Sequence, residues 1–328
     1  MQLSQHKWQP SASIDTLRKR AEFIQQVRTF FYARKVLEVD TPCLSRSTIT
    51  DPHLQGLCTV HTEPGAKTSQ TLYLQTSPEY AMKRLLAAGS GDIFQLCKAF
   101  RDDEIGRHHN VEFTMLEWYR LDFSMQQLID ELLALLYSVL PVNQAQQFTY
   151  TEVFEQYCHI NPIDADLAEL LACLQQHGLA DYVASLPANI QHTSALQVLF
   201  NQVIEPCIGQ TAPAVVTHFP AAQASLAVLS ANKLTAHRFE VYYKGLELAN
   251  GFEELQDHAI QAQRFAYDNQ QRLAMGLKQK PIDDLFLQAL EHGLPACSGV
   301  ALGLDRLLML ALNKSHISEV LSFSYEHC

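Results

Sequence analysis

The chain has 328 residues, 47% hydrophobic and 18% charged, with a formal net charge of −11. That composition excludes a disordered protein, and the acidic balance argues against a dedicated tRNA-binding module, because gripping phosphates demands a basic surface. The length allows one large domain or two modest ones, and the eight scattered cysteines hold no Cys-x-x-Cys pair that would suggest a zinc site or disulfide framework.

The first residues, with His6, Lys7 and Trp8 and no apolar segment, do not read as a secretion signal. Ile14, Leu17, Ala21, Ile24, Val27 and Phe31 recur at three- and four-residue steps, which predicts an amphipathic helix over residues 14–35. A short strand from Val36 is stopped by Pro42. Residues 72–100 read as a strand, a helix over roughly 79–88, and a strand through Ile93, Phe94, Gln95 and Leu96. Two further strands are expected around a loop at 101–112. Residues 124–140 and 165–177 read as helices, with Gly178 as the C-cap of the second. The most apolar run, residues 128–140, is broken by Asp130 and Glu131, so no membrane span is expected and a cytoplasmic location is the default. Residues 187–235, with prolines at 187, 206, 213 and 220, look less regular. A hairpin turning at Lys244 and Gly245, a helix near 257–275 and a last strand-to-helix unit complete the chain. Turns and hairpins between strands favour a mixed or antiparallel sheet over a doubly wound one.

Residues 100–119 concentrate the chemistry. Arg101, the acidic run Asp102, Asp103 and Glu104, then Arg107, His108 and His109, lead into a strand. Alternation puts Phe113, Met115, Glu117 and Tyr119 on one face, a suitable ligand floor, with Thr114, Leu116 and Trp118 on the other. A half-buried strand with a solvated edge is the competing reading. Far away, Gly299 and Gly303 precede Arg306; glycines permit close approach to a ligand but also mark tight packing. Two arginines so placed suit a polyphosphate clamped at both ends. Glu240 and Glu247, on the two arms of the hairpin, are expected to face each other and share Mg²⁺, a hard ion that favours carboxylates and phosphate oxygens; a polar sheet face is the alternative.

Together these segments resemble the signature motifs of class II aminoacyl-tRNA synthetases, with lysyl-tRNA synthetase as the nearest subgroup. Lys35 to Pro42 resembles motif 1, residues 100–119 motif 2, and residues 299–306 motif 3. Ser77, Pro78 and Glu79 and the hairpin match lysyl-enzyme segments between them, so the likeness runs from about residue 14 to the end. The fold it implies is α+β: a mainly antiparallel sheet flanked by helices, without the anticodon-binding barrel that precedes the motifs in lysyl-tRNA synthetases. The whole chain, 1–328, is expected to be one catalytic domain, with residues 150–235 a more helical, irregular insertion. The absent barrel makes it similar to the stand-alone paralogues, the elongation factor P–lysine ligases. That family activates (R)-β-lysine as an adenylate and transfers it to a lysine side chain of elongation factor P. A truncated synthetase that charges tRNA or another small acceptor, and a non-catalytic regulatory paralogue, are the alternatives.

By that resemblance the cofactors are ATP and Mg²⁺, the partners elongation factor P and a second copy of the chain through motif 1, with tRNA not expected. Arg101 would hold the α-phosphate and Arg306 the γ-phosphate, as the catalytic pair. Phe113 would stack on adenine, with Asp103 and Asn110 near the base and phosphates and His109 at the pyrophosphate. Leu248 and Gly303 would line the nucleotide through their backbones, and Glu240 and Glu247 would bind Mg²⁺. Glu254 would take the side-chain ammonium of the amino acid, with Tyr119 and Asn250 beside it. Ser77, Pro78 and Glu79 would take the amine at the reacting end. Two departures stand out: Asp103 replaces the family's glutamate, and Ala301 and Ala249 replace glycines of the lysyl enzymes. A methyl in the pocket wall would favour a β-amino acid, by ~1–3 kcal/mol at most.

Overall fold

The computed structural model describes residues 8–102, 105–184 and 186–328. Helix α1 (Ile14–Tyr32) starts at Ser13, whose side chain accepts from the Thr16 amide at 3.1 Å, a cap worth ~1 kcal/mol. It leads to strands β1 (Leu37–Glu38), β2 (Leu44–Ser45), β3 (Cys58–His61) and β4 (Gln70–Leu74). Helix α2 (Glu79–Ala87) precedes the long strands β5 (Ile93–Phe100) and β6 (Glu112–Leu121), and α3 (Met125–Val139) follows. Next come β7 (Gln146–Thr149), α4 (Tyr150–Cys158), α5 (Leu167–Gln176), α6 (Asp181–Ala184), α7 (Ala188–Leu199) and β8 (Ala214–Thr217). The hairpin of β9 (Arg238–Tyr243) and β10 (Leu246–Glu253), α8 (His258–Ala274), α9 (Asp284–Gly293), β11 (Cys297–Gly303) and α10 (Leu304–Ala311) close the order.

Eight strands form one sheet in the order β1-β5-β6-β11-β10-β9-β8-β7, and β2, β4 and β3 form a small second sheet. Only the outermost pairs, β1 with β5 and β7 with β8, are parallel; the five central pairings are antiparallel, as expected. Neither sheet closes into a barrel. No helix among the described residues is long and apolar enough to cross a membrane.

Strand parity decides what each face does. Leu116 and Trp118 of β6, Val300 and Leu302 of β11, and Phe239 and Val241 of β9 share an apolar cluster with α1, α3 and α10. Every second residue between them points to the opposite face, where the main cavity lies. A separate cluster joins α4, α5, α7, Val216 and Tyr242.

Three expectations change in detail. The strand before the 101–112 loop is the continuation of the one begun at Ile93, so that region holds one strand fewer. Residues 187–235 contain a 12-residue helix and a fully buried strand, because prolines 187 and 213 sit at element boundaries and leave the runs between them intact. The segment after α1 keeps only two strand residues, as an edge on β5.

Candidate active site

A cavity of about 410 Å³ opens on the sheet face opposite α1 and α3, within the usual range for ligand sites. Phe113, Met115, Glu117 and Tyr119 of β6 all line it, while Leu116 and Trp118 are fully buried behind. Gly299, Ala301 and Gly303 of β11 pair with Tyr119, Glu117 and Met115 and continue the floor.

The third wall depends on a β-bulge. Glu247 and Asn250 are three residues apart, an odd offset that would put them on opposite faces of a regular strand. The register shifts between Glu247 and Ala249, so Glu247 lies opposite Tyr242 and Asn250 opposite Glu240, and both face the cavity. The direct pairing of Glu240 with Glu247 expected from sequence is therefore replaced by a diagonal one. Leu248 and Ala249 belong to the apolar cluster and also border the cavity; the methyl of Ala301 lies on the cavity side of β11, between Glu117 and Asn250.

One end of the cavity is arginine-rich. The Arg306 guanidinium donates to the carbonyls of Glu247 (2.9 Å) and His108 (3.2 Å), so among the described residues it is held by backbone. Arg101 lies over the Phe113 ring, 5.1 Å from its centroid. Asp103 lies outside the described residues, as does Glu104. His109 and Leu248 line the cavity. Asn110 also does, but its amide donates to the Glu112 carbonyl (2.7 Å) and its oxygen accepts from the Tyr325 amide (2.9 Å). It thus clasps a C-terminal turn. The same clasp includes Ile317 N–H donating to the Arg107 carbonyl at 2.9 Å and Arg107 Nε donating to the Ser315 carbonyl at 2.7 Å.

Glu240 accepts from both Arg238 and Tyr242. Burial, then the charge of Glu240, pushes the Glu247 carboxyl up to about 7, against the pull of Arg306 and Arg101. Burial, then the charges of Glu247 and Glu240, raises Glu205 to about 7 against the pull of Arg306. Sequence reasoning missed Glu205, which precedes Pro206 in an unremarkable segment.

The other end is acidic. Glu117 accepts from Ser77 (2.7 Å) and Tyr119 (2.7 Å), and burial, then Glu79, raises it to about 7. Lys83 ion-pairs with both Glu79 (2.6 Å) and Glu254 (2.5 Å). Burial opposes the Lys83 charge, but the two carboxylates outweigh it and hold the ammonium above its ordinary value. Burial raises Glu254 to about 8, with Lys83 pulling it down and Glu79 pushing it up. Glu79 and Glu254, expected to bind substrate amines, thus already share an internal cation. Ser77 is also engaged: its oxygen accepts from the Glu79 amide at 3.1 Å, across Pro78, which caps α2. Asn250 keeps a buried side-chain oxygen with no hydrogen-bond partner among the described residues. Gly299 is required by packing: a Cβ there would sit 2.2 Å from the Tyr119 ring and 2.7 Å from Glu254. Lys83 was missed from sequence, although its i+4 spacing from Glu79 on a helix is a legible signal. Glu117 was placed on the right face but given no role.

These raised carboxyls set the pH response. Each binds its proton more tightly folded than at the ordinary value of 4.5. The folded state therefore carries the extra protons between about pH 4.5 and 8, and stability falls as pH rises through that window. The melting temperature of the free protein should drop from pH 5 to pH 8; a flat or rising profile would contradict these environments.

Comparison with known proteins agrees with this geometry. The model of the family tRNA synthetases class II (D, K and N) matches residues 6–327. A protein of Pectobacterium atrosepticum named elongation factor P–(R)-β-lysine ligase is 52% identical over 320 residues, 97% of this chain and 98% of its own. Proteins of the same name from Mannheimia succiniciproducens and Haemophilus ducreyi are 52% and 50% identical over 97% and 99% of this chain, and 98% of theirs. With motif 2 on β6, motif 3 on β11 and a match over nearly its full length, the chain belongs to the class II tRNA synthetase family of the D, K and N type.

Proposed function

We propose that the protein activates (R)-β-lysine with ATP and transfers it to a lysine side chain of elongation factor P. Membership in the family implies ATP use; the amino acid and the acceptor rest on the pocket and on the names of the relatives. The observation that carries the reading is the charge balance of the acidic end. Glu79, Glu117 and Glu254 surround one ammonium, Lys83, which leaves two negative charges when all are ionised. A diamino acid brings two ammonium groups. Glu117 is the carboxylate with two neutral donors and no cation within bonding distance among the described residues, so it is the natural site for one of them. The unpartnered Asn250 oxygen stands nearby to accept from an amine.

ATP would lie at the arginine end, with Phe113 beneath the base, Arg101 at the α-phosphate, Arg306 at the γ-phosphate and His109 near the pyrophosphate. The protein's hard donors there, Glu240 and Glu247, fit Mg²⁺, which takes one or two carboxylates and completes its shell with phosphate oxygens and water. Among the described residues no cluster of three or more ligands would form a closed cage. When bound, Mg²⁺ would offset phosphate charge. The substrate carboxylate attacks the α-phosphorus and pyrophosphate leaves. Fixed arginines that lose no reorganisation energy at that moment make this a reaction of positioning and charge stabilisation. The whole chain then acts as one catalytic domain, with residues 150–235 as its insertion. We place it in the cytoplasm, as a homodimer through motif 1, where Tyr32, Leu37 and Leu44 are exposed.

The test is the intact mass of elongation factor P after incubation with the protein, Mg-ATP and (R)-β-lysine, with α-lysine and tRNA in parallel. A gain of one lysyl residue, faster with the β isomer, is expected; charged tRNA with unmodified factor would move the case to a truncated synthetase. Ala301→Gly should erode the preference by roughly tenfold, the size of one methyl in a pocket wall, read as the β-to-α ratio of kcat/KM in ATP–pyrophosphate exchange.

A further inference from the structure

The ATP end needs two residues held at a fixed spacing, Phe113 beneath the base and Arg306 at the γ-phosphate. They belong to different elements, β6 and α10, at the point where the sheet stops joining them. The pairing of β6 with β11 ends at Met115 opposite Gly303, and the chain then turns into α10. Where that ladder ends, the Thr114 N–H donates instead to a side chain, the buried Asp305 carboxylate, at 2.7 Å. One carboxylate oxygen thus joins the residue after Phe113 to the residue before Arg306.

The second oxygen of Asp305 meets a cation from a third element. Arg20, on α1, ion-pairs with it at 2.6 Å. The same guanidinium donates to the Thr114 hydroxyl at 2.8 Å and to the Val320 carbonyl at 3.2 Å. Val320 ends the short turn that begins at Ile317, whose amide donates to the Arg107 carbonyl, so the loop at 101–112 is tied to the same point. Arg20 itself does not line the cavity.

Such an arrangement supplies geometry more than stability. An ion pair withdrawn from water adds little net stability over apolar groups of the same volume, but a planar guanidinium with several N–H donors fixes the directions of its partners. Resting on the function proposed above, we infer that Arg20 is a positioning residue for ATP: from behind the sheet it sets the spacing of Phe113 and Arg306. A lysine keeps the charge opposite Asp305, but its single nitrogen does not reproduce the rigid fork that reaches Thr114, Asp305 and Val320 together. The acidic end draws on Ser77, Glu79, Glu117 and Glu254, and their bonds run to one another, to Tyr119 and to Lys83. The brace therefore bears on one substrate and not on the other.

The test titrates the full-length protein with Mg-ATP alone, so that it needs no amino acid. Arg20→Met should raise the Kd for Mg-ATP by roughly tenfold or more, the size of one weakened charge-assisted contact. Arg20→Lys should recover about half of the lost binding free energy, leaving a Kd about threefold above wild type. In β-lysine-dependent ATP–pyrophosphate exchange, the KM for ATP should rise in parallel while that for (R)-β-lysine stays within about twofold. A purely structural role would lower the folded fraction, scaling kcat and sparing both KM values. Lys19→Ala removes the neighbouring cation of α1, an exposed one paired with Asp15, and should change none of these constants. If Arg20→Met does not fold, Arg20→Lys carries the test alone. Unchanged ATP affinity in the folded variants, equal losses for ATP and β-lysine, or a like loss in Lys19→Ala would overturn the role. A wild-type protein that binds ATP but performs no β-lysine-dependent exchange would overturn the proposed amino acid instead, and the ATP titrations would still decide the role of Arg20.

Discussion

Glu117→Gln should lower kcat/KM for (R)-β-lysine in pyrophosphate exchange by ~10- to 150-fold, while the KM for ATP changes little. Glutamine keeps the shape and can still accept from Ser77 or Tyr119, but it no longer carries the charge that meets a substrate ammonium. A hydrogen bond to a charged group in a buried site is worth ~1.5–3 kcal/mol, and each 1.36 kcal/mol is about tenfold in rate. The same variant should be more stable than wild type above pH 7, because it deletes a carboxylate whose ionised form is costly in its buried place. Steady-state kinetics paired with thermal melts at pH 8 check both halves. An active variant, or a destabilised one, would sink the assignment of Glu117 as the substrate's counter-charge.

Lys83→Met has the opposite sign on stability. The side chain is 1% exposed and bridges two carboxylates. Methionine fits the volume but strands Glu79 and Glu254 without their cation. Breaking a buried ion pair by removing one partner costs ~3–5 kcal/mol, a large share of a typical domain's stability. The loss should shrink as pH falls toward 5.5, since the stranded carboxylates can then take up protons. Urea unfolding at pH 8 and pH 5.5 measures this. Equal stability of variant and wild type at pH 8 would mean that Lys83 is not the cation holding the acidic end together. Two residues in one pocket would thus move stability in opposite directions, one because its charge is in excess and the other because it supplies the balance.

Much of this site was legible in the sequence. Period-two alternation placed Phe113, Met115, Glu117 and Tyr119 on one face, and the sheet keeps them there because Leu116 and Trp118 leave no other register. Turn chemistry located the hairpin at Lys244 and Gly245. What escaped is what depends on partners remote in sequence. The bulge at Leu248 has no local signature, yet it decides that Glu247 and Asn250 share a face. The pairing of Lys83 with Glu254 spans two elements with no sequence link between them. Residues 187–235 looked irregular because their prolines mark boundaries rather than break the helix and strand inside.

The clasp on the loop at 101–112, where we propose that ATP binds, also has a temporal meaning. Arg107 and Asn110 are fastened to Ser315 and Tyr325, 208 and 215 positions later. A growing chain that has reached Gly303 already owns every strand of the main sheet, but that loop has nothing to close against until residues 315–325 arrive. Contacts so distant in sequence form late, because the loop-closure entropy is met before they can repay it. The capacity to make a reactive adenylate is therefore the last property a nascent chain acquires, after the pocket that must contain that intermediate is built. A chain clipped before residue 315 should keep its sheet and bind no ATP, so that unfinished or damaged copies remain chemically silent.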